Sequence, residues 1–201
     1  MSKNCLLCGV GGQGVVLASK LIAYAALDKG MFVRTSETIG MAQRGGSVVS
    51  HVRMGEEIHS PMVPKGGADV ILAFEPAEAV RCLSYLREGG IMVVNRKAVK
   101  PVTSTLGGQP YDGSEMLSHL EEHVEHLLVM DGDSVCSQVG SDKVLNVAML
   151  GAAVASGVLD ISMSDMEEEI KKNVKPQFVE MNRKALSLGA EIVGMKEKPE
   201  S

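Results

Sequence analysis

A glycine-rich turn near the start of the sequence has the residue types and spacing of a phosphate-binding loop. It follows a predicted strand at 3–9, opens a predicted helix at 13–29, and fits the pattern G-x-G-x-x-G. Glycine there permits a tight turn, close approach of a phosphate to the backbone, and close helix–strand packing. The helix N-terminus adds free N–H groups. The alternative is that the glycines form only a tight turn. The candidate ligand-binding residues are Gly9, Gly11, Gly12, Gln13 and Gly14.

A second candidate group follows the next predicted strand, at 31–36. Glu37 lies about where a dinucleotide-binding fold places the acid that holds a ribose. Arg44, followed by two glycines, can present its guanidinium and open backbone N–H groups to a phosphate or carboxylate. The alternative is an ion pair between Glu37 and Arg44 inside a structured loop. The candidates in this group are Glu37, Gln43, Arg44, Gly45 and Gly46.

The elements that must position these residues alternate between strand and helix. Such alternation predicts an α/β fold, Rossmann-like, with a mainly parallel open sheet, flanking helices and a helical C-terminal extension. Gly89-Gly90 is expected to end the second helix, and Ser164 with Glu167 to form a capping box. The predicted strands are 3–9, 31–36, 47–54, 69–74, 91–95 and 127–130, and the predicted helices are 13–29, 76–87, 114–125, 142–156, 164–173 and 176–188.

The length and composition favour one globular domain over 1–195, whose helical C-terminal part covers about 142–190, followed by a charged tail at 196–201. The 201 residues carry a net charge of −5, no Trp and only 3% aromatic residues, which argues against a nucleic-acid partner. The longest apolar segment, 148–159, falls short of the roughly 20 residues that a membrane span needs. We therefore expect no membrane partner and a cytoplasmic location, and four cysteines are too few for a disulfide framework.

Several other motifs do not support a site. Cys5 and Cys8 have half of a metal-site spacing, but alternation along a strand sends their thiols to opposite faces, so no metal site is expected. The four-cysteine run of a ferredoxin domain is absent. Asp131-Gly132-Asp133 lacks the residue order of a thiamine diphosphate motif. His119 and His123 fall on a polar helix, where a solvated face is the simpler reading. No catalytic residue can be assigned.

Three segments together resemble one family. They are 8–14, 36–48 and 146–152, and the most specific stretch is Gly-Met-Ala-Gln-Arg-Gly-Gly-Ser at 40–47. The sequence resembles the gamma domain of the 2-oxoacid:ferredoxin oxidoreductases over about residues 3–190, and within that family the small subunits of the indolepyruvate enzymes, which consist of this domain alone. Family members often carry His at the position of Ile39, so a role that needs a titratable group there is not expected.

The resemblance implies a subunit of an oxidoreductase that is inactive alone. The holoenzyme would decarboxylate aryl pyruvates to aryl-acetyl-CoA, with ferredoxin as acceptor. Thiamine diphosphate and iron–sulfur clusters would belong to a large partner subunit, and coenzyme A and the 2-oxoacid would bind at a site shared with it. Three alternatives stay open: a gamma subunit for pyruvate or another 2-oxoacid, an independent NAD(P)-binding oxidoreductase with Glu37 on the ribose, and an interaction module that binds no ligand.

Overall fold

The computed structural model of this chain describes residues 2–39, 46–99 and 111–195, with Ile39 and Met195 described by their backbone alone. Its strands form one sheet, in which β2 and β6 are the outermost of the described strands. In chain order the strands are β1 Lys3–Val10, β2 Phe32–Ile39, β3 Ser47–Gly55, β4 Ala68–Ala73, β5 Leu86–Asn95 and β6 His126–Met130. The order across the sheet is β2-β3-β1-β4-β5-β6.

The four strands β1, β4, β5 and β6 are parallel to one another, whereas β3 runs antiparallel to both of its neighbours. All six residues of β4 are buried, because a parallel strand in the middle of a sheet is covered on both faces. The predicted α/β class with a mainly parallel sheet is confirmed.

The helices cover both faces of the sheet. One core lies under α1, α5 and α7, with Cys5 and Leu7 of β1 in it. The opposite core lies under α2 and α3, with Leu6 and Cys8 of β1, as the alternation along a strand requires. The helices are α1 Val15–Asp28, α2 Pro76–Cys82, α3 Ser114–His123, α4 Gly132–Val139, α5 Leu145–Ala155, α6 Met163–Asn173 and α7 Val179–Met195.

Two glycines let α5 and α7 approach backbone to backbone. A Cβ atom on Gly151 would lie 2.0 Å from the carbonyl oxygen of Leu186, and one on Gly189 would lie 1.9 Å from that of Ala148. Any side chain at either position would therefore push the two helices apart. The predicted helical extension is present, and this contact holds it together.

Some predicted boundaries are wrong. Gly89-Gly90 does not end the second helix but lies within β5, which begins at Leu86. Leu86 is opposite Ala68 and Ile91 is opposite Val70, so the glycines form an irregularity in which several residues of β5 face one of β4. Gly89 has a φ of +65°, a conformation that costs glycine little.

The helical third also departs from the prediction. The sequence pattern missed α4, a short helix whose composition is mostly polar. The capping box lies two residues earlier than expected, because Ser162 and Asp165 form it instead of Ser164 and Glu167. The helix predicted at 142–156 begins with a 3₁₀ turn, Asp142–Val144, before α5. The last helix likewise follows a 3₁₀ turn at Pro176–Phe178 and continues to Met195. Residues 100–110 and the predicted charged tail at 196–201 lie outside the described residues.

Candidate functional site

The candidate site lies where the parallel strands end. After β1 the chain passes into α1 on one face of the sheet, and after β4 it passes into α2 on the other face. Since β1 and β4 are neighbours, their following segments diverge. This is the topological switch point at which open α/β sheets bind ligands, beyond the carboxyl ends of the strands.

A chain of hydrogen bonds ties these strand ends together. Gln13 accepts the Val10 N–H at Oε1 (2.8 Å) and donates from Nε2 to the carbonyl oxygen of Phe74 (3.0 Å). Asn95 donates from Nδ2 to the same carbonyl (3.3 Å) and accepts the Gly132 N–H at Oδ1 (3.2 Å). The segments that follow β1, β4, β5 and β6 are thereby fixed relative to one another. Gln13 uses both ends of its amide for this, so it positions the turn.

The glycine turn is built for close approach. A Cβ on Gly9 would lie 2.7 Å from Gln13 Oε1 and 2.9 Å from the Cβ of Phe74. Gly12 and Gly14 have φ values of +101° and +80°, which side chains rarely adopt. Gly14 is the N-cap of α1, and no side chain of the described residues caps that helix. Its first N–H groups are therefore available to a ligand.

The structure brings some of the predicted residues together and separates others. Gly11 donates its N–H to the carbonyl oxygen of Gly46 (2.9 Å), so the glycine turn touches the end of the second candidate loop. Glu37 lies on β2, which is two strand positions away from β1 because β3 separates them. Its side chain is exposed and lines a different cavity of about 240 Å³. Three predicted residues lie outside the described part of the chain: Gln43, Arg44 and Gly45.

That separation bears on the nicotinamide alternative. In a dinucleotide fold the acid that holds the ribose follows the strand next to the glycine turn. Strands are spaced about 4.8 Å apart, so Glu37 is displaced by a further strand from the expected position. The placement of Glu37 gives no support to the dinucleotide geometry.

Beside the glycine turn is a crevice of about 350 Å³. Its walls are the turn at 12–14, Lys97 and Val99 after β5, the start of α4, and the segment 142–146 that opens α5. We call this cavity the crevice. Its volume is at the lower end of the range for ligand pockets, about 300–1,000 Å³, so it can enclose part of a larger ligand.

The charged groups of the crevice are mixed. Lys97 Nζ lies 2.8 Å from Asp133 Oδ1, and this hydrogen bond raises the pKa of Lys97. Asp133 lies in the first turn of α4, and Asp142 in the first turn of the 3₁₀ helix before α5. The first turn of α1 has no acidic residue. No carboxylate in its own first turn therefore offsets the positive end of the α1 dipole.

Asn146 is the polar side chain at the base of the crevice. It is 4% exposed and lies against the turn, because a Cβ on Gly14 would be 3.0 Å from its Cγ and Nδ2. The amide makes no hydrogen bond with the side chains or backbone that the structure describes. Among the described residues the fully buried side-chain polar atom without a partner is Ser50 Oγ, whereas Asn146 lines the crevice, where a ligand can meet its amide.

Two carboxylates at the start of α2, that of the N-cap residue Glu75 and that of Glu78, bind segments of the chain near the strand ends. Glu75 accepts the Tyr111 O–H (2.5 Å) and the Val99 N–H (3.4 Å) at Oε1. Glu78 accepts the Ser47 O–H at Oε2 (2.6 Å). Both are almost completely buried. Burial and the bond to Glu75 raise the pKa of Tyr111.

The motifs set aside in the sequence form no cluster among the described residues. Cys5 and Cys8 lie in opposite cores, as expected, and burial raises the pKa of Cys5. Cys82 lies beside Cys8, and their hydrogen bond raises the pKa of Cys8 and lowers that of Cys82. His119 and His123 stack on an exposed helix face. Within the described ranges, no three His, Cys, Asp or Glu gather as metal ligands, and no helix could span a bilayer.

Known proteins resemble this chain over almost its whole length. A family model described as pyruvate ferredoxin/flavodoxin oxidoreductase matches residues 4–192. The chain belongs to this family. Indolepyruvate oxidoreductase subunit IorB of Pyrococcus horikoshii is 38% identical over 92% of this chain and 93% of that protein. The IorB of Archaeoglobus fulgidus is 36% identical over 94% of both chains. The pyruvate/ketoisovalerate oxidoreductases common subunit gamma of Thermococcus kodakarensis is 27% identical, over 88% of this chain and 89% of that protein.

Solved structures of the family share the fold. The gamma subunit of the keto/oxoacid ferredoxin oxidoreductase from Geobacter sulfurreducens aligns with a TM-score of 0.71 at 25% identity, over 98% of this chain and 99% of that one. The 2-oxoglutarate:ferredoxin oxidoreductase of Magnetococcus marinus, solved with 2-oxoglutarate, coenzyme A and succinyl-CoA, has a TM-score of 0.71. At 17% identity it shows the fold alone, covering 99% of this chain and 32% of that chain.

Reasoning from the sequence missed three residues that line the crevice: Lys97, Lys143 and Asn146. Asn146 opens one of the segments that carried the family resemblance, and it is the only polar residue of an otherwise apolar helix, α5. A single polar residue in an apolar helix is the sequence feature that could have identified Asn146 as a candidate site residue. The two lysines lie in segments without any motif, so only the fold brings them to the glycine turn.

Proposed function

We propose that this chain is the small subunit of an indolepyruvate:ferredoxin oxidoreductase. In this role it supports the oxidative decarboxylation of aryl pyruvates to aryl-acetyl-CoA, with ferredoxin as electron acceptor. The observation that carries the proposal is similarity along the whole chain. Four IorB subunits are 35–38% identical to it over at least 92% of its length. No catalytic residue is assigned to the chain itself, in keeping with an inactive isolated subunit.

Thiamine diphosphate and the iron–sulfur clusters are proposed to belong to a large partner subunit. The cysteines of this chain do not fit an iron–sulfur cluster, because all four are buried and Cys5 and Cys8 lie on opposite faces of the sheet. Ligation needs several thiolates around one centre. Electrons from the 2-oxoacid would therefore reach ferredoxin through the partner.

The carboxyl edge of the sheet is the proposed contribution of this chain to the shared site. The glycine turn and Gly46 lie there together, and the sequence places Gln43, Arg44 and Gly45 immediately before Gly46. We expect this edge to receive part of coenzyme A while the partner holds the 2-oxoacid and thiamine. We place the complex in the cytoplasm, without a membrane or nucleic-acid partner.

A second candidate is a gamma subunit for pyruvate or another 2-oxoacid. The common gamma subunits of pyruvate/ketoisovalerate oxidoreductases support it, since they match 88% of this chain, but at only 27–28% identity. The higher identity to IorB favours the indolepyruvate assignment.

Affinity purification of the tagged full chain from its native cell tests the proposal. We expect a large subunit in stoichiometric amount, with the broad visible absorbance of thiolate-ligated clusters. The complex should reduce ferredoxin faster with indolepyruvate than with pyruvate or 2-oxoglutarate. A faster reaction with pyruvate would move the assignment to the second candidate, and a colourless solitary chain would contradict both.

A further inference from the structure

Two of the four cysteines lie side by side on neighbouring elements. Cys8 lies near the end of β1, and Cys82 is the last residue of α2. Both belong to the core between that helix and the sheet. Cys8 Sγ donates to the carbonyl oxygen of Glu78 (3.5 Å), and Cys82 follows Glu78 by one helical turn, so it lies on the same side of α2. This places the two thiols within hydrogen-bond reach of each other.

The other two cysteines differ from this pair. Cys5 and Cys136 belong to the core on the opposite face of the sheet. Both are buried, and burial raises the pKa of each thiol. Buried thiols in such surroundings are inert, whereas a thiol beside a second thiol can be oxidised to a disulfide. The chain therefore contains one candidate pair and two internal controls.

Cys82 is the more reactive member of the pair. The hydrogen bond from Cys8 lowers the pKa of Cys82, and this outweighs burial and the negative charge of Glu78. The thiolate is the form that reacts with oxidants. The 3₁₀ turn Leu83–Tyr85 follows Cys82, and none of its residues is buried. A small oxidant therefore reaches Cys82 through a local opening at the end of the helix, while Cys8 stays fully buried behind it.

We propose that Cys8 and Cys82 form a reversible disulfide when the chain meets hydrogen peroxide. The Cys82 thiolate attacks one peroxide oxygen, so a sulfur–oxygen bond forms, the oxygen–oxygen bond breaks, and hydroxide leaves and takes up the proton that Cys82 released. The Cys8 sulfur then attacks the sulfenic acid of Cys82, whose hydroxyl group leaves as water with the Cys8 proton. Two thiols are oxidised to one disulfide, and one peroxide is reduced to two waters. A dithiol restores both thiols by exchange.

The bond would join the end of α2 to the strand that leads into the glycine turn. Gly9 follows Cys8 directly, and the start of α2 binds segments near the strand ends through Glu75 and Glu78. Oxidation would thereby tie these parts of the carboxyl edge together covalently. The reaction uses only groups of this chain, so it goes beyond the proposed subunit role and does not depend on it.

Counting thiols in the full chain tests this inference. The reduced chain is treated with hydrogen peroxide, unfolded and alkylated, and its peptides are identified by mass spectrometry. We expect the number of alkylated cysteines to fall from four to two, with a linked pair of peptides that contains Cys8 and Cys82. Dithiothreitol added before alkylation should restore all four. Four remaining thiols after peroxide, or a loss of thiols without this linked pair, would overturn the proposal.

Three alanine variants separate the roles of the cysteines. Cys5→Ala changes a cysteine that is as buried as Cys8 on the same strand, and it should still form the linked pair. Cys82→Ala should keep its three thiols, because Cys8 alone is buried and unreactive. Cys8→Ala should lose one thiol, with Cys82 trapped by dimedone as a sulfenic acid. Oxidation of Cys8 in Cys82→Ala, or loss of the linked pair in Cys5→Ala, would contradict the assignment, and the measurement on the unaltered chain requires no variant to fold.

Discussion

The contact between α5 and α7 makes a sharp prediction about Gly189. In Gly189→Ala the new Cβ would lie 1.9 Å from the carbonyl oxygen of Ala148, about 1.5 Å short of the 3.4 Å at which ordinary contact begins. The atom it meets is backbone, so a helix must move. Overpacking costs about 1–3 kcal/mol, and more for backbone shifts, whereas alanine returns at most about 1 kcal/mol in helix propensity. We expect a net loss of about 2 kcal/mol.

The same helix offers a matched control. A Cβ on Gly194 would have no neighbour within 4 Å, so Gly194→Ala should leave stability unchanged or raise it by up to about 1 kcal/mol. Thermal unfolding measures both, because 1 kcal/mol shifts the midpoint by about 2–4 °C in a domain of this size. Gly189→Ala should therefore unfold about 4–8 °C lower. Equal midpoints for the two variants would refute the argument that these helices meet backbone to backbone.

Three further predictions follow from single contacts. Asn95→Ala should lower the free energy of unfolding in urea by about 1–3 kcal/mol, since it leaves the buried Gly132 N–H unpaired; no change would contradict the bonded strand ends. Burial lowers the pKa of His51, whose Nδ1 accepts the Val63 N–H. Neutral His51 therefore contributes fully to the free energy of unfolding at pH values above its unfolded pKa of about 6.5. This contribution is lost as the pH falls below that value. His51→Asn should therefore flatten the decline of stability between about pH 8 and pH 5.5. Glu75→Gln should lower the raised pKa of Tyr111 in an ultraviolet titration, and an unshifted curve would rule out their hydrogen bond.

The sequence predicted the turn and its flanking elements well because their determinants are local. A short apolar run, four glycines and a 3.6-residue apolar period specify β1, the turn and α1 within the first 30 residues. The eight residues of α4 bury only Gly132, Val135 and Cys136, and so short a segment falls below the 11–18 residues over which an apolar period can be recognised; it was missed. The pair Gly89-Gly90 is compatible with a helix end and with an irregular strand, and only the pairing of β5 with β4 distinguishes them.

The composition of the site could be predicted only in part, because it depends on strand order. Glu37 follows β2 in sequence, but β3 inserts between β2 and β1, so the acid does not lie next to the turn. Asn146 comes from more than a hundred residues later and reaches Gly14 only because α5 packs against the same core as α1. Neither the strand order nor the packing of α5 can be predicted from a local sequence pattern.

Reconstitution tests the central claim most directly. The large partner subunit is purified alone, and indolepyruvate-dependent reduction of ferredoxin is measured with coenzyme A before and after this chain is added. We predict negligible turnover for either subunit alone, and turnover that rises with this chain to a stoichiometric end point. Full activity of the partner without the chain, or no gain on adding it, would contradict its role as a required subunit.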